Sequence, residues 1–253
     1  MTPFFEIPDG WTYTYFDKTD GTNAYLKQNP ENKAIVQAGR QTAGRGRLAR
    51  QWYSPEGNLY CSLCLRLDDV RLAAGYSFLT ALALCQALRR LDGENEYLCK
   101  WPNDVLANGK KISGVLLELV QKEKIFYLVI GVGVNVKLFP ENEEILYRTT
   151  SLKAEGCQAG VDEVAETFLR LFDFWQKRYE TTGLETVLSS WTALACGLGE
   201  RLTVCLADKR KEGVFSGLDK DGALLLNEGK QVVRITAGDV FFNGNDERKK
   251  DVG

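Results

Sequence analysis

The spacing of apolar residues predicts a mixture of strands and helices over most of this chain. Four runs have the alternating or continuous apolar pattern of strands: Tyr13–Phe16, Ala34–Ala38, Leu59–Leu67 and Lys124–Ile130. Four segments have helical spacing or composition: Ala24–Gln28, the long apolar Val70–Leu91, and the amphipathic Val161–Glu180 and Leu184–Leu194. Residues 140–146 are expected to form a loop or a short helix.

From about Gly199 the pattern changes to short strands separated by turn residues. Strand-like segments begin at Arg201, Lys211, Gly222 and Gln231. Such closely spaced short strands predict a small β-barrel of SH3-like size. We therefore expect a first domain over residues 1–197 and a barrel over residues 198–242. The polar residues 243–253 are expected to form a disordered tail.

A tight hairpin is predicted at Asn108-Gly109, a pair typical of two-residue turns. The hairpin would fold Lys110–Glu118 back beside Asp104–Ala107. We therefore expect Lys111 to return toward Asp104.

Composition narrows the chemistry that this chain can perform. It has 253 residues, a net charge of −2 and no histidine. The small net charge gives no general attraction to nucleic acid or anionic lipid. The lack of histidine excludes Ser-His-Asp and Cys-His catalysis and histidine-ligated metals. Any catalysis must therefore use Lys, Arg, acidic and polar side chains, and backbone groups.

Seven cysteines, an odd number, are scattered along a sequence with no secretory leader. This usage is typical of a reducing compartment and predicts a cytoplasmic location. Cys61 and Cys64 form a C-x-x-C, but positions three apart on a strand face opposite sides, so we expect packed core residues and no zinc site. No apolar run is long enough to cross a membrane, so no membrane partner is expected.

A loop rich in glycine and arginine, Gly39–Trp52, lies between two predicted strands and reads GRQTAGRGRLARQW. Glycine lets backbone N–H groups approach a ligand closely, and arginine supplies a planar fork of donors for carboxylate or phosphate. The loop is therefore predicted to enclose an anion. On composition alone, the alternatives are a flexible solvated loop and an arginine-rich nucleic-acid contact.

A helix start offers a second group of candidate ligand contacts. Thr22 and Asn23 lie where the short helix begins, and backbone N–H groups are available there. The alternative is a plain N-cap, a role open to Thr19, Asp20 or Thr22.

Two further candidate groups lie on or beside predicted strands. Lys100, Asn103 and Asp104 flank the extended break at Pro102 and suit a nucleotide and its metal ion; the alternative is a solvated surface hairpin. In Gly131-Val-Gly-Val-Asn135, two glycines allow close approach of a flat ligand or of a neighbouring strand.

Taken in order, these segments resemble the motifs of biotin–protein ligases. Gly44–Trp52 resembles the family's G-R-G-R-x-G-R-x-W loop. Lys100–Asp104 matches K-W-P-N-D, and Lys111–Gly114 matches K-x-x-G. Asp20–Asn23 is similar to D-S-T-N, and Gly131–Asn135 to G-x-G-x-N. The resemblance covers roughly Phe16 to Val240, and the ordered set is far more specific than any one motif.

The resemblance implies a fold and a reaction. The expected fold class is α+β. A catalytic domain with a mixed β-sheet and flanking helices, like that of class II aminoacyl-tRNA synthetases, would precede the SH3-like barrel. The expected reaction activates biotin with ATP, in the presence of Mg²⁺, to biotinyl-5′-AMP. Biotin is then transferred to a lysine of a biotin carboxyl carrier protein.

The resemblance also implies roles for individual residues. The catalytic residues would be Arg47, Lys100 and Lys111. The biotin site would comprise Gly21, Thr22, Asn23, Gln41, Gly44, Arg45, Gly46, Arg47, Lys111, Gly114 and Gly131. The ATP site would comprise Arg45, Arg47, Trp52, Lys100, Asn103, Asp104 and Asn135, with Asp104 also binding Mg²⁺.

Two positions depart from the family pattern. Gly21 stands where D-S-T-N has serine, so a hydrogen bond to the biotin ureido ring would come from backbone or water. Ala49 stands where the loop motif has glycine, which raises the question whether that position needs a positive φ.

Other functions remain open at this stage. Some family members also repress transcription through an N-terminal helix-turn-helix; here the first strand begins near Tyr13, so we expect no sequence-specific DNA binding. The alternatives are a lipoate or octanoate ligase or transferase of the related fold, and an inactive biotin- or nucleotide-binding module. A homodimer is a possible assembly.

Overall fold

The computed structural model describes residues 5–140, 147–206 and 209–242, and in these residues the chain forms two β-sheets and four α-helices. The predicted loop or helix near residue 140 and the predicted tail lie largely or wholly outside the described residues. None of the helices in the described part is long and apolar enough to span a membrane.

The first sheet has seven strands in the order β1-β2-β3-β7-β6-β5-β4. The strands are β1 (Thr12–Thr19), β2 (Ala34–Gln41), β3 (Leu59–Leu67), β4 (Tyr97–Lys100), β5 (Asp104–Ala107), β6 (Lys110–Lys122) and β7 (Ile125–Val134). β1 runs parallel to β2, and the other neighbouring pairs are antiparallel. The predicted mixed sheet is therefore confirmed.

Four helices cover this sheet: α1 (Thr22–Gln28), α2 (Gly75–Leu91), α3 (Val161–Thr182) and α4 (Leu184–Thr192). α1 is the crossover between the parallel strands β1 and β2, which cannot be joined by a tight turn. α2 is buried over nearly its whole length because α3 and α4 pack against it. This position explains why its sequence is apolar on all sides.

Strand alternation assigns the two faces of the sheet. On β3, Cys61 belongs to the large core formed with α2 and α3, whereas Cys64 belongs to a small cluster beneath α1. The two cysteines therefore face opposite sides, as predicted. By the same alternation, the α1 face carries Ser62 of β3, Gly131 and Gly133 of β7, and Gly114 of β6.

The N-terminal ends of two helices differ from the prediction. Val70–Leu72 is a separate 3₁₀ turn, capped by Asp69, whose carboxylate accepts from the Arg71 backbone N–H at 2.9 Å. α2 begins only at Gly75. For α1 the N-cap is Gly21, and no side chain caps the helix. The prediction of Thr19, Asp20 or Thr22 as cap was therefore wrong, because Gln41 accepts from the Thr22 N–H at 2.9 Å instead.

The second sheet contains five antiparallel strands in the order β11-β10-β9-β8-β12. They are β8 (Arg201–Cys205), β9 (Arg210–Leu218), β10 (Leu224–Asn227), β11 (Val232–Ile235) and β12 (Asp239–Phe242). The predicted small β-domain is confirmed, and closure of the sheet into a barrel stays a prediction. β12 was not predicted, because Asp239–Phe242 is only four residues long and lacks clear alternation.

The two sheets meet through the Gly222 turn. Trp101 Nε1 donates to the Gly222 carbonyl at 3.0 Å, and a Cβ on Gly222 would come within 2.7 Å of Phe78 Cζ on α2. Gly222 also has a φ of +84°, which favours glycine. This turn therefore fixes the second sheet against α2.

We predict that Gly222→Ala destabilises the protein more than Gly229→Ala. Both glycines have positive φ, +84° and +90°, so both substitutions carry a similar backbone cost. Only Gly222 also faces Phe78, whereas a Cβ on Gly229 meets nothing within 4 Å. The extra overpacking is expected to lower the unfolding free energy by about 1–3 kcal/mol. Urea unfolding of the two variants measures the difference, and equal midpoints would contradict this packing role.

Candidate functional site

A cavity of about 540 Å³ opens on the α1 face of the first sheet. Its wall contains most of the residues predicted to bind ligand: Gly21, Thr22, Asn23, Gln41, Arg45, Gly46, Arg47, Trp52, Asn103, Asp104, Lys111, Gly114, Gly131 and Asn135. They come from segments far apart in sequence. The fold therefore brings the ordered motifs together at one site.

Two predicted residues lie behind the cavity wall. Gly44 is backed by Ser54 and by the Trp52 carbonyl, 2.7 Å from where a Cβ would be. Lys100 is 3% exposed, and its ammonium lies 3.8 Å from the centroid of the Tyr147 ring. The rings of Phe241 and Phe242 are also near that ammonium. Lys100 is therefore held at the junction with the second sheet, and its predicted direct role stays a prediction.

Hydrogen bonds between polar side chains form the floor of the cavity beside α1. Gln41 Oε1 accepts from the Thr22 backbone N–H at 2.9 Å. Ser62 Oγ lies 2.6 Å from both Thr22 Oγ1 and Asn23 Oδ1. A Cβ on Gly131 would come within 2.9 Å of the Asn23 amide, so a larger residue there would displace Asn23. The floor thus presents fixed amide and hydroxyl groups to a ligand.

The glycine–arginine loop contains two consecutive non-glycine residues in the left-handed region. Leu48 has a φ of +54° and Ala49 a φ of +58°, within a 3₁₀ turn from Arg47 to Ala49. Each such residue costs roughly 1–2 kcal/mol. Ala49 therefore does occupy a position of positive φ, which explains why glycine fits the motif there. The turn is closed by a 2.7 Å bond from the Gly46 N–H to the Arg50 carbonyl.

Three arginines of this loop reach three different acceptors. Arg45 lies 3.6 Å from Glu118 of β6. Arg47 donates to Asn103 Oδ1 at 3.0 Å. Arg50 forms a two-bond pair, at 3.2 and 2.5 Å, with Asp239 of β12. Each arginine is thus matched by an acceptor in a different part of the fold.

Asp239 links the second sheet to the cavity, and it was not predicted. Burial alone would raise the pKa of its carboxyl, but the hydrogen bonds and charge of Arg50, the charge of Arg47 and a hydrogen bond from Tyr147 together hold that pKa below its usual value. The hydrogen bond with Asp239 raises the pKa of Arg50. Both groups are therefore charged around neutral pH. Asp239 lies far from every motif in sequence, and no local signal marks it.

Lys111 and Asp104 meet as the hairpin predicts. Lys111 Nζ lies 2.7 Å from Asp104 Oδ2, and both side chains are largely buried. The other carboxylate oxygen, Asp104 Oδ1, is buried without a hydrogen-bond partner among the described residues. The pair thus places one ammonium and one unsatisfied acidic oxygen at the cavity wall.

Trp52 forms an aromatic wall above two glycines. A Cβ on Gly133 would come within 2.8 Å of its Cζ2, and one on Gly114 within 3.3 Å of its Cζ3. Lys111 Nζ lies 5.6 Å from the indole centroid. Gly133, Tyr147 and Thr149 also line the cavity but were not predicted as ligand contacts. Gly133 lies within the quoted G-x-G-x-N motif, so its spacing of two from Gly131 was the available signal.

This arrangement suits the joining of two anionic groups. A polar floor lies at one end, an aromatic wall lies beside it, and Arg45, Arg47 and Lys111 supply positive charge between them. Fixed cations around a developing negative charge are a strong source of transition-state stabilisation.

Comparison with known proteins identifies relatives of this chain. The profile of the Biotin/lipoate A/B protein ligase family matches residues 14–135, and that of the biotin protein ligase C-terminal domain matches residues 197–243. The biotin--[acetyl-CoA-carboxylase] ligase of Paracoccus denitrificans is 38% identical over 90% of this chain and 99% of its own length. The bifunctional ligase/repressor BirA of Bacillus subtilis is 31% identical over 89% of this chain and 72% of its own length.

The solved structures agree with the sequence relatives. The biotin protein ligase from Aquifex aeolicus in complex with biotin and ATP superposes with a TM-score of 0.80 at 28% identity, covering 91% of this chain and 97% of its own. On the combined match in sequence and fold, this chain belongs to the biotin protein ligase family.

Proposed function

We propose that this chain activates biotin with ATP and transfers it to a lysine of a biotin carboxyl carrier protein. The observation that carries the proposal is the Lys111–Asp104 pair, set 2.7 Å apart beside Arg45 and Arg47 in one cavity wall. A relative that is 38% identical is a ligase of this kind, and a related solved structure holds both biotin and ATP.

The reaction takes place in two steps, adenylation of biotin and transfer of the biotinyl group. A carboxylate oxygen of biotin attacks the α-phosphorus of ATP, and the bond to pyrophosphate breaks to give biotinyl-5′-AMP. The amine of the acceptor lysine then attacks the acyl carbon, loses a proton, and AMP leaves. Neither step forms a covalent bond to the enzyme, so the chain needs no nucleophile of its own.

Repulsion between the two anions is the main barrier that the site must lower. Arg45, Arg47 and Lys111 would bind the carboxylate and the α-phosphate, which holds the reacting atoms in contact. Lys111 would neutralise the charge that builds on the phosphate in the transition state. The polar floor at Thr22 and Asn23 would hold the ureido ring, and Trp52 would pack against the nucleotide.

Asp104 is the side chain best suited to bind Mg²⁺ in this site. Its Oδ1 is buried and has no partner among the described residues, as a metal ligand would require. No group of three or more acidic, cysteine or histidine side chains surrounds it in the described part of the chain. Mg²⁺ commonly binds through one carboxylate, with water and substrate phosphates as its other ligands. The bound ion would supply additional positive charge at the phosphates.

Several attributes of this enzyme complete the proposal. The acceptor is a biotin carboxyl carrier protein or domain, and the enzyme works in the cytoplasm. It does not bind a specific DNA operator, and a homodimer is one assembly open to it. The catalytic domain ends near residue 197, the C-terminal domain extends from 198 to 242, and residues 243–253 form a tail.

We expect Lys111→Ala to reduce biotin-dependent ATP–pyrophosphate exchange by about 100-fold or more, since it removes a cation aimed at the reacting groups. Lys110→Ala is the matched control, because Lys110 forms its ion pair with Glu155 and does not line the cavity. Lipoate and octanoate replace biotin in parallel reactions. Equal exchange by both variants would contradict the role of Lys111, and exchange with lipoate alone would assign the chain to the sister activity.

We also expect Asp239→Asn to lower kcat/KM for ATP by about 5- to 50-fold in the same exchange assay. The change removes the charge that holds Arg50 and so loosens the loop from the second sheet. Asp221→Asn, in the turn between β9 and β10, is the control, since Asp221 is exposed and pairs with Arg234. An unchanged kcat/KM in Asp239→Asn would show that the second sheet does not position the loop.

A further inference from the structure

A continuous chain of hydrogen bonds extends beneath the cavity. Which group donates and which accepts in each bond is fixed by the protons that the groups carry. Asn23 Oδ1 can only accept, so the single proton of Ser62, 2.6 Å away, must point to it. The Thr22 hydroxyl, 2.6 Å from Ser62 Oγ, must then donate to Ser62. The donors and acceptors that a ligand meets therefore depend on which way the Asn23 amide is turned.

Glu118 of β6 decides that orientation. Its Oε2 accepts from Asn23 Nδ2 at 2.9 Å, and its Oε1 accepts from Lys27 at 2.6 Å. A carboxylate has no proton to donate, so Asn23 must turn its nitrogen toward Glu118 and its oxygen toward Ser62. Burial alone would raise the pKa of Glu118, but the hydrogen bonds from Lys27 and Asn23, together with the charges of Lys27 and Arg45, keep that pKa below its usual value.

Glu118 has no contact of its own with a ligand in this arrangement. Neither Glu118 nor Lys27 is among the residues that line the cavity in the described chain. Glu118 lies one layer behind the wall, where alternation along β6 places it on the same face as Gly114. It can therefore affect a substrate only through the side chains it holds, Asn23 and Arg45.

We propose that Glu118 is the positioning residue that sets the polarity of the floor, meaning which groups at the biotin end of the cavity donate hydrogen bonds and which accept them. In this proposal, Lys27 determines which atoms of the side chain at position 118 face Asn23. This inference rests on the proposed function, since it concerns recognition of the ureido ring. A ureido ring carries two N–H donors and one carbonyl acceptor, so it fits one polarity of the floor and not the reverse.

Replacing Glu118 with glutamine shows why the polarity depends on Lys27. The introduced amide must present its oxygen to the Lys27 ammonium, because an amide N–H₂ facing a cation is unfavourable. Its N–H₂ would then face Asn23, which turns its own oxygen toward the introduced amide and its nitrogen toward Ser62. Ser62 would donate to Thr22, and Thr22 to Gln41 Oε1 at 3.2 Å. All these groups stay paired, so the protein folds, but the floor is reversed.

The experiment is a double-mutant cycle with Glu118→Gln and Lys27→Met. Biotin KM and ATP KM are measured by ATP–pyrophosphate exchange, biotin Kd by calorimetry without ATP, and folding by thermal unfolding. Glu118→Gln is expected to raise biotin KM and Kd about tenfold or more, because a ligand donor meets a donor. ATP KM should change by less than about threefold, because the only ATP-site residue beside Glu118 in the described chain is Arg45, which forms a half-exposed ion pair at 3.6 Å and would still meet an oxygen there.

The decisive result is the double variant. Lys27→Met alone should leave biotin KM within about twofold of the parent, since Glu118 still only accepts from Asn23. In the double variant only Arg45, at 3.6 Å, still favours an oxygen at that position, so the introduced amide can turn its oxygen to Asn23 and biotin KM should fall well back toward the parent value. If Glu118 acted only through its ion pair with Lys27, both single variants would raise biotin KM. The double variant would then bind biotin no better than either of them.

The outcomes separate the two proposals. A parent protein without biotin-dependent exchange would overturn the proposed function, whatever the variants do. A parent that exchanges normally, with a double variant as weak in biotin binding as Glu118→Gln, would overturn the inference alone. An unchanged biotin KM in Glu118→Gln would overturn it too.

Discussion

Mutual repulsion among the arginines of one short loop is the constraint on which the rest of this site depends. Arg45 and Arg50 each approach a carboxylate, on Glu118 and Asp239, whereas Arg47 is held by the neutral amide of Asn103. Arg50 makes two charge-assisted hydrogen bonds, which are the stronger kind, whereas Arg45 approaches its carboxylate only to 3.6 Å. Arg45 and Arg47 are therefore the arginines most easily released to an incoming anion, while Arg50 keeps the loop attached to the second sheet.

The sheet provides the geometry that this loop needs. Alternation along β6 and β7 sends glycines to one face, so the floor is low enough for Trp52 to lie across Gly133 and for Asn23 to lie against Gly131. The opposite face carries the aliphatic residues packed against α2. Packing of the apolar face therefore fixes the position of the sheet, and with it the positions of the polar groups on the opposite face.

Much of this arrangement could be predicted from sequence because it follows local rules. The Asn108-Gly109 turn sets a register, and that register alone brings Lys111 to Asp104. The rest depends on contacts that no local pattern encodes. The aromatic rings around Lys100 belong partly to the second sheet, so its withdrawal from the cavity wall could not be foreseen. Glu118 looked like an ordinary strand residue, since its role comes from neighbours on α1.

The pairing of Arg50 with Asp239 also affects when the loop can be completed during synthesis of the chain. The two residues are 189 positions apart, so the ribosome adds Asp239 roughly 10–40 s after Arg50 at usual rates of synthesis. During that interval the nascent chain can complete its first sheet while Arg50 of the loop still lacks its partner Asp239. The catalytic loop thus matures later than the sheet that carries it, which delays adenylate chemistry until the second sheet has been made.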